Sequence, residues 1–389
     1  MDRYQERGVS SSKEEVHQAV ADLDKGLFPG AFCKIMPYDR FHGSIDHTDG
    51  AGTKAGLAYL AWKHGFPINV WRGVAQDSLV MNFDDMACVG AGAKGGIFRV
   101  TQNINRNPFR IPGEVVAELV AGSAEFINTL ISHTDVDIAY SGGETADVAD
   151  LVRTITVDNS VSTIMFKRDV IDASRIEEGD VIVGFSSTGQ ATWEDAPNSG
   201  IGSNGLTNAR HDCLHPDYRA DNETYSPEMP PNKVYCGEYH LNDPLPGDER
   251  FTVASALLSP TRTYLPLIAE LVRYIEGDLH ALIHCTGGGQ CKIGKFGPPE
   301  VEYYKNNLMP IPPLFKFLQE ARDLPWLEMF SGYNMGHRLE AVLPKNRAKE
   351  SIILARSSGI EADIIGKVRK RRSKDRVIIK SDQGTFRYP

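Results

Sequence analysis

No two cysteines stand at C-x-x-C spacing, and no cysteines and histidines are spaced for zinc; six cysteines (Cys33, Cys88, Cys213, Cys236, Cys285, Cys291) are scattered through 389 residues. This excludes a disulfide scaffold and a zinc ribbon, and is consistent with the reduced thiols of a cytoplasmic protein. Positive charge is short as well: 42 Lys and Arg face 51 Asp and Glu, for a formal net charge of −9. A nucleic-acid partner requires a broad basic face, so none is expected. The one basic run, Lys367–Lys374, reads as a solvated hairpin between Ile364-Ile365 and Val377–Ile379. No apolar run approaches the length of a membrane span, and the start is charged from Asp2 without the apolar stretch of a signal peptide. The expectation is a protein away from membranes. The G-x-x-x-x-G-K-[ST] phosphate loop, short tandem repeats and coiled-coil heptads are missing too.

What is present is concentrated in a few glycine-rich stretches. Asp49-Gly50-Ala51-Gly52-Thr53-Lys54 places an acid, two glycines, a hydroxyl and a lysine within six residues. Gly50 and Gly52 let backbone N–H groups approach phosphate oxygens, Thr53 donates, and Lys54 adds a point charge. Asp49 suits a divalent cation, which prefers oxygen ligands. A glycine turn followed by a solvated lysine is the competing reading, and context decides between them. Here Ser44–Thr48 reads as a strand and Ala55–His64 as a helix, a setting that places phosphate at a helix N-terminus.

Further along, apolar spacing predicts helices over Val70–Ala87 and Glu114–Ser132, and strands over Asp137–Tyr140 and Val161–Lys167. Asp85, flanked by Met86-Ala87, is placed for partial burial and hence for a cation or donor; Asp77 reads as a solvated surface acid. The strand at Asp137–Tyr140 enters Ser141-Gly142-Gly143-Glu144-Thr145-Ala146-Asp147. A strand at Val181–Phe185, a capped helix start at Ser203–Arg210, a long helix over Leu257–Ile275 and a strand at Leu279–His284 follow. That last strand leads into Cys285-Thr286-Gly287-Gly288-Gly289. Residues 190–202 and 211–250 read as loop insertions. Alternating strands and helices predict α/β or α+β architecture, with one domain over residues 1–170 and a second over 171–389.

In this order, D-G-x-G-T-K at Asp49–Lys54, G-G-E-T-A-D at Gly142–Asp147 and H-x-T-G-G-G at His284–Gly289 resemble aminoimidazole ribonucleotide synthetase, or phosphoribosylformylglycinamidine cyclo-ligase. The resemblance begins at Tyr4–Val9 and runs to Tyr333–Gly336. It implies a homodimer whose N-terminal domains share a β-barrel, and ATP- and Mg²⁺-dependent closure of the imidazole ring of formylglycinamidine ribonucleotide in purine synthesis. It further implies Mg²⁺–phosphate ligation by Asp49, Asp85, Glu144 and Asp147. Gly50, Gly52, Thr53, Lys54, Gly142, Gly143 and Thr145 would contact ATP. Ser203, Asn204, Gly205, Thr286, Gly287, Gly288 and Gly289 would contact substrate. Lys54 and His284 are the expected catalytic groups, His284 as the proton handler.

Three departures fall on the substrate side. The histidine usual before Ser203-Asn204-Gly205 is replaced by Gly202, with His211 or His215 as candidate substitutes. Gln290–Lys295 replaces an aromatic-rich segment, and His337-Arg338 replaces small residues. Other functions open to the same motifs are those of selenophosphate synthetase, formylglycinamide ribonucleotide amidotransferase, thiamine-monophosphate kinase and a hydrogenase-maturation dehydratase. A non-catalytic nucleotide-binding paralogue is a further alternative.

Overall fold

The computed structural model describes residues 5–9, 14–20 and 22–389. Tyr4 and Ser11-Ser12-Lys13, whose serine caps and acids at Glu14-Glu15 predict a helix start, lie outside them. The short α1 (Glu14–Ala19) follows, and the apolar residues Val16, Val20 and Leu23, spaced as a helical stripe, are exposed to solvent.

Period-two burial builds the first sheet. β1 (Met36–Pro37), β2 (His42–Gly50), β3 (Ile97–Arg106), β4 (Asp137–Asp147) and β5 (Ile155–Phe166) pair in the order β1-β2-β5-β3-β4, antiparallel except for β3 and β4. Ile45, Val100, Ile104, Val157 and Val161 point into the core. That side is covered by α3 (Val70–Ala87) and α4 (Gly113–His133), which follow α2 (Lys54–Lys63) in the chain. Asp46, Thr48, Thr101, Asn103 and Ser160 lie on the opposite, exposed side. α4 is long and apolar enough to cross a membrane by length and composition, contrary to the sequence reading. Its apolar stripe of Val115, Leu119, Phe126, Ile127 and Leu130 is instead buried, with Gly122 placed against the Arg72 backbone of α3.

The strand expected over Asp137–Tyr140 continues through the glycine motif at 142–147. β4 runs through it to Asp147 because β3 offers a parallel ladder along its whole length, with one irregularity between Val100 and Gln102 that Gly142 (φ 100°) accommodates. Gly143 lies so close to β3 that a Cβ there would sit 1.9 Å from the Gln102 carbonyl oxygen. β3 itself, absent from the sequence reading, was signalled by the alternation of Phe98, Val100 and Ile104 with polar residues.

The second sheet carries β6 (Val181–Ser186) near its middle. The two-residue β7 (Thr188–Gly189) and β8 (Asn198–Ser199) pair with each other beside it. With β9 (Ala281–His284), β10 (Val301–Lys305), β11 (His337–Leu343), β12 (Ala362–Lys370), β13 (Val377–Ser381) and β14 (Gly384–Tyr388), the order is β14-β13-β10-β12-β6-β11-β9. The basic run is therefore not a hairpin. β10 inserts between β12 and β13, pairing parallel with the latter.

The expected long helix over Leu257–Ile275 is also divided. α5 (Leu206–Cys213) precedes two separate helices, α6 (Val253–Leu258) and α7 (Leu265–Ile275). Pro260 lacks an N–H to continue a helix, and two neighbouring amides are taken by acids of α3: Thr261 donates to Asp77, and Tyr264 to Asp84. Residues 211–250 are mostly loop with short 3₁₀ turns, yet Tyr218, Met229, Val234, Tyr235, Leu241 and Leu245 are buried. The insertion packs into the same core as α2 and α5.

Candidate functional site

β2 runs straight into the Asp49–Lys54 hexad. A Cβ on Gly50 would lie 2.7 Å from the Val157 carbonyl oxygen, and Gly52 takes φ 58°, so both glycines are required by the backbone path. Thr53 caps α2, and its hydroxyl meets that of Thr207 at 2.7 Å, joining the hexad to the start of α5. Gly205, just before α5, packs on the ring of Tyr333, whose hydroxyl donates to the Gly205 carbonyl at 3.3 Å. Gly289 packs on the Tyr333 backbone. The hexad, the Ser203-Asn204-Gly205 turn and the glycine triplet are thus assembled through Thr207 and Tyr333. Gly287, Gly288 and Gly289 all have positive φ; Gly287 leaves open space where a side chain would stand, while Gly288 faces Lys292. The Ser203 hydroxyl is buried without a hydrogen-bond partner, and Asn204 is exposed. Thr286 is buried beside the triplet.

Lys54 corrects the sequence reading. Its side chain has no exposure, and its Nζ donates to Asp77 at 2.8 Å and to the Ser259 carbonyl at 2.6 Å. Burial lowers the ammonium's pKa against the opposing pull of Asp77. The charge foreseen for phosphate is spent inside the protein, tying α2 to α3 and to the segment after α6. Asp77, read as a solvated acid, is its buried partner.

Positive charge reaches the hexad from another direction. A cavity of about 400 Å³ opens beside Gly52, Thr53 and Gly56, bounded by Asp158, Arg153, Arg210 and residues 223–226 of the insertion. Arg210 is 4% exposed; one guanidinium nitrogen donates to the Tyr235 hydroxyl at 3.2 Å, while its Nε is buried without a partner. A guanidinium with a spare donor, beside a glycine turn and a helix N-terminus, is suited to an anionic ligand.

The four expected metal ligands are not gathered: among the described residues, no three of Asp49, Asp85, Glu144 and Asp147 bring their carboxylates together. Asp147 pairs with Arg106 at 2.7 Å, because β3 and β4 put the two residues in register. Asp85 Oδ1 meets His284 Nδ1 at 2.6 Å, and its Oδ2 meets His47 Nε2 at 3.5 Å. Burial opposes the charge on Asp85, but hydrogen bonds from His284 and His47 outweigh it and hold the carboxyl well below its usual range. Burial likewise disfavours the His47 cation, yet Asp85 and Cys33 raise the ring to about 11. Asp85 is compensated by imidazole, so it does not fit the metal role.

Asp49 does fit. It is exposed, and both burial and the Asp49 charge raise the pKa of the neighbouring Asp158. Two repelling carboxylates near the cavity mouth suit a hard divalent cation. Asp158 went unnoticed in the sequence, although period-two alternation in β5 puts it on the open face. Its ladder row runs Gly50–Asp158–Asn103–Glu144, which sets Glu144 on that same face, while Thr145, paired with Ile104, points to the other.

His284 is buried and held at both ring nitrogens: Nδ1 faces Asp85, and Nε2 accepts from Arg338 Nε at 3.2 Å. This fixes the tautomer with hydrogen on Nδ1. Arg338 also donates to the Arg262 carbonyl, while its Nη1 is buried without a partner. Neither candidate for the missing histidine replaces it near Ser203. His211 is buried against the Tyr235 ring (4.5 Å), with its pKa pushed well down by burial and by Arg210 and Arg7. His215 lies on the insertion beside His240.

Residues 35–165 match the family model described as "AIR synthase related protein, N-terminal domain". The chain is 29% identical to the phosphoribosylformylglycinamidine cyclo-ligase of Methanocaldococcus jannaschii over 323 residues, covering 82% of this chain and 77% of the relative. It is 28% identical to the Thermococcus kodakarensis protein of that name over 383 residues, covering 94% and 95%. Among solved structures, Thermotoga maritima PurL complexed with FGAR superposes with a TM-score of 0.56 at 13% identity, covering 97% of this chain. The chain spans about half the length of PurL, 49%. HypE in a HypE–HypF complex gives 0.56 at 14% identity, covering 95% of this chain and 96% of that one. Residues 35–165 are thus similar to the AIR synthase-related N-terminal domain, and the chain is similar over most of its length to phosphoribosylformylglycinamidine cyclo-ligases.

Proposed function

We propose that this protein is an ATP-dependent phosphoribosylformylglycinamidine cyclo-ligase of purine biosynthesis. The observation that carries the reading is the joining of three separated motifs around Thr207 and Tyr333, in a chain related along most of its length to cyclo-ligases. In the proposed reaction the formamide oxygen takes the γ-phosphoryl group of ATP, forming one P–O bond as the bond to ADP breaks. The amidine nitrogen then attacks the activated carbon. A C–N bond forms, the C–O bond breaks, and phosphate leaves as the nitrogen loses a proton. Holding both ends of one molecule together removes much of the entropic barrier.

Polyphosphate is assigned to the cavity beside Gly52 and Thr53, with the α2 N-terminus and Arg210 offsetting its charge. Asp49 and Asp158 would hold Mg²⁺, whose contribution is to neutralise phosphate oxygens. Gly287, open on its side-chain side, with Gly288 next to it and the exposed Asn204, would receive substrate. A homodimer through the open face of the first sheet belongs to this proposal, since that face exposes a row of polar side chains without a covering layer.

The test is phosphate release from Mg²⁺-ATP with and without formylglycinamidine ribonucleotide, following the imidazole product in parallel. Stoichiometric, substrate-stimulated release supports the cyclo-ligase. ATP binding without stimulation refutes it in favour of a relative with a different phosphoryl acceptor. Arg338 favours that second reading, since it brings a buried guanidinium with an unpartnered Nη1 to His284.

A further inference from the structure

His215, Asp217 and His240 stand on the insertion, away from every motif used above, and their ligand atoms all lie within 4.8 Å of one another. His215 Nδ1 is 3.1 Å from Asp217 Oδ2, and His240 Nε2 is 3.4 Å from the same oxygen. Two donors bound to Zn²⁺ at about 2.0–2.1 Å in a tetrahedral arrangement lie about 3.3 Å apart, so both separations match that bite.

The surrounding contacts leave room for an ion. The Asp217 amide reaches His215 Nδ1 only at 3.3 Å, a long contact that a bound cation would replace. The same nitrogen lies 3.1 Å from the Asp217 carboxylate, so a cation seated between them would draw on both. On the far side of the second ring, Asp243 Oδ2 lies 3.8 Å from His240 Nδ1 and accepts the His240 amide at 2.6 Å. At 3.8 Å this carboxylate makes no hydrogen bond to the ring as it stands, but it is the group within reach of the non-ligating nitrogen, and such a partner orients a metal-bound imidazole. The two rings stack at 4.5 Å, and the surface around them is open to entry.

We propose that His215, Asp217 and His240 form a binding site for a divalent transition cation of borderline softness, such as Zn²⁺, completed by water and oriented by Asp243. Two imidazoles and one carboxylate favour such an ion over Mg²⁺, which takes oxygen. The site clips the residue after α5 to a strand-like contact 25 residues later, where the His215 amide already donates to the Tyr239 carbonyl at 2.8 Å. It fastens an insertion without disulfides whose residues 223–226 wall the hexad cavity.

The test is equilibrium dialysis of the full chain against Zn²⁺ or Mg²⁺, with metal content by mass spectrometry and thermal unfolding with and without each ion. The expected result is one Zn²⁺ per chain, raising the unfolding temperature, with Mg²⁺ neither retained nor stabilising. Asp243→Asn weakens Zn²⁺ binding ~10–100-fold, and His215→Gln/His240→Gln together abolish it and the thermal shift. Wild-type protein that retains no Zn²⁺ would overturn the proposal. So would a double variant that binds and is stabilised as wild type is, since the metal would then sit elsewhere.

Discussion

Replacing Lys54 with methionine separates a phosphate-binding lysine from a structural one. Both side chains of the Lys54–Asp77 pair have zero exposure, at 2.8 Å. Methionine has nearly the length of the lysine stem, so little cavity is created; the loss is electrostatic. Asp77 Oδ1 would keep the Thr261 amide at 2.8 Å and the Thr261 hydroxyl, while its Oδ2 has no partner at all. An uncompensated buried carboxylate left by its partner costs ~3–5 kcal/mol, and the Ser259 carbonyl loses its charged donor as well. Urea unfolding followed by tryptophan fluorescence is expected to show K54M less stable by that amount. K54M/D77N should recover most of the loss, because the asparagine amide oxygen still accepts from Thr261 without a charge to bury. K54M within ~1 kcal/mol of wild type, with ATP binding lost, would refute the reasoning and return Lys54 to the phosphates.

Arg210→Met is expected to raise the Kd for ATP ~10–100-fold, the worth of one charge-assisted hydrogen bond, with unfolding little changed; an unaltered Kd by calorimetry would remove the cavity from the nucleotide site. Asp85→Asn deprives His47 of the carboxylate that holds it near 11, so an NMR titration should find its pKa several units lower; a ring still titrating near 11 would assign its stabilisation to another group. His211 is buried neutral, its folded pKa far below that of the unfolded chain, where a histidine titrates near ~6.5. The unfolded state therefore binds the proton first. The contribution is complete above the unfolded pKa and is lost as pH falls below it, by ~1.4 kcal/mol per unit. Unfolding at pH ~6.5 and ~5.5 should show a drop that His211→Gln abolishes; equal slopes in both proteins would contradict it.

Local pattern carried much of this molecule into view. The apolar run of Val70–Ala87 and the amphipathic stripe of Glu114–Ser132 mark helices within a residue of their ends, since apolar content and period are properties of a short window. Gly50, Gly52 and the glycine triplet were legible because no other residue takes those backbone paths. Partnership is a different matter. Whether Lys54 faces solvent or Asp77, whether Asp85 meets a cation or two histidines, and whether Gly142–Asp147 turns or extends all depend on residues distant in the chain. A buried charge goes to whichever opposite charge the packing brings near, and a glycine-rich segment joins a ladder when a neighbouring strand offers one. The sequence by itself determined the motifs, the helices over Val70–Ala87 and Glu114–Ser132, and the family resemblance. Only the tertiary structure decided which charges remain for a ligand, because desolvation and pairing are settled by contacts that no local window contains.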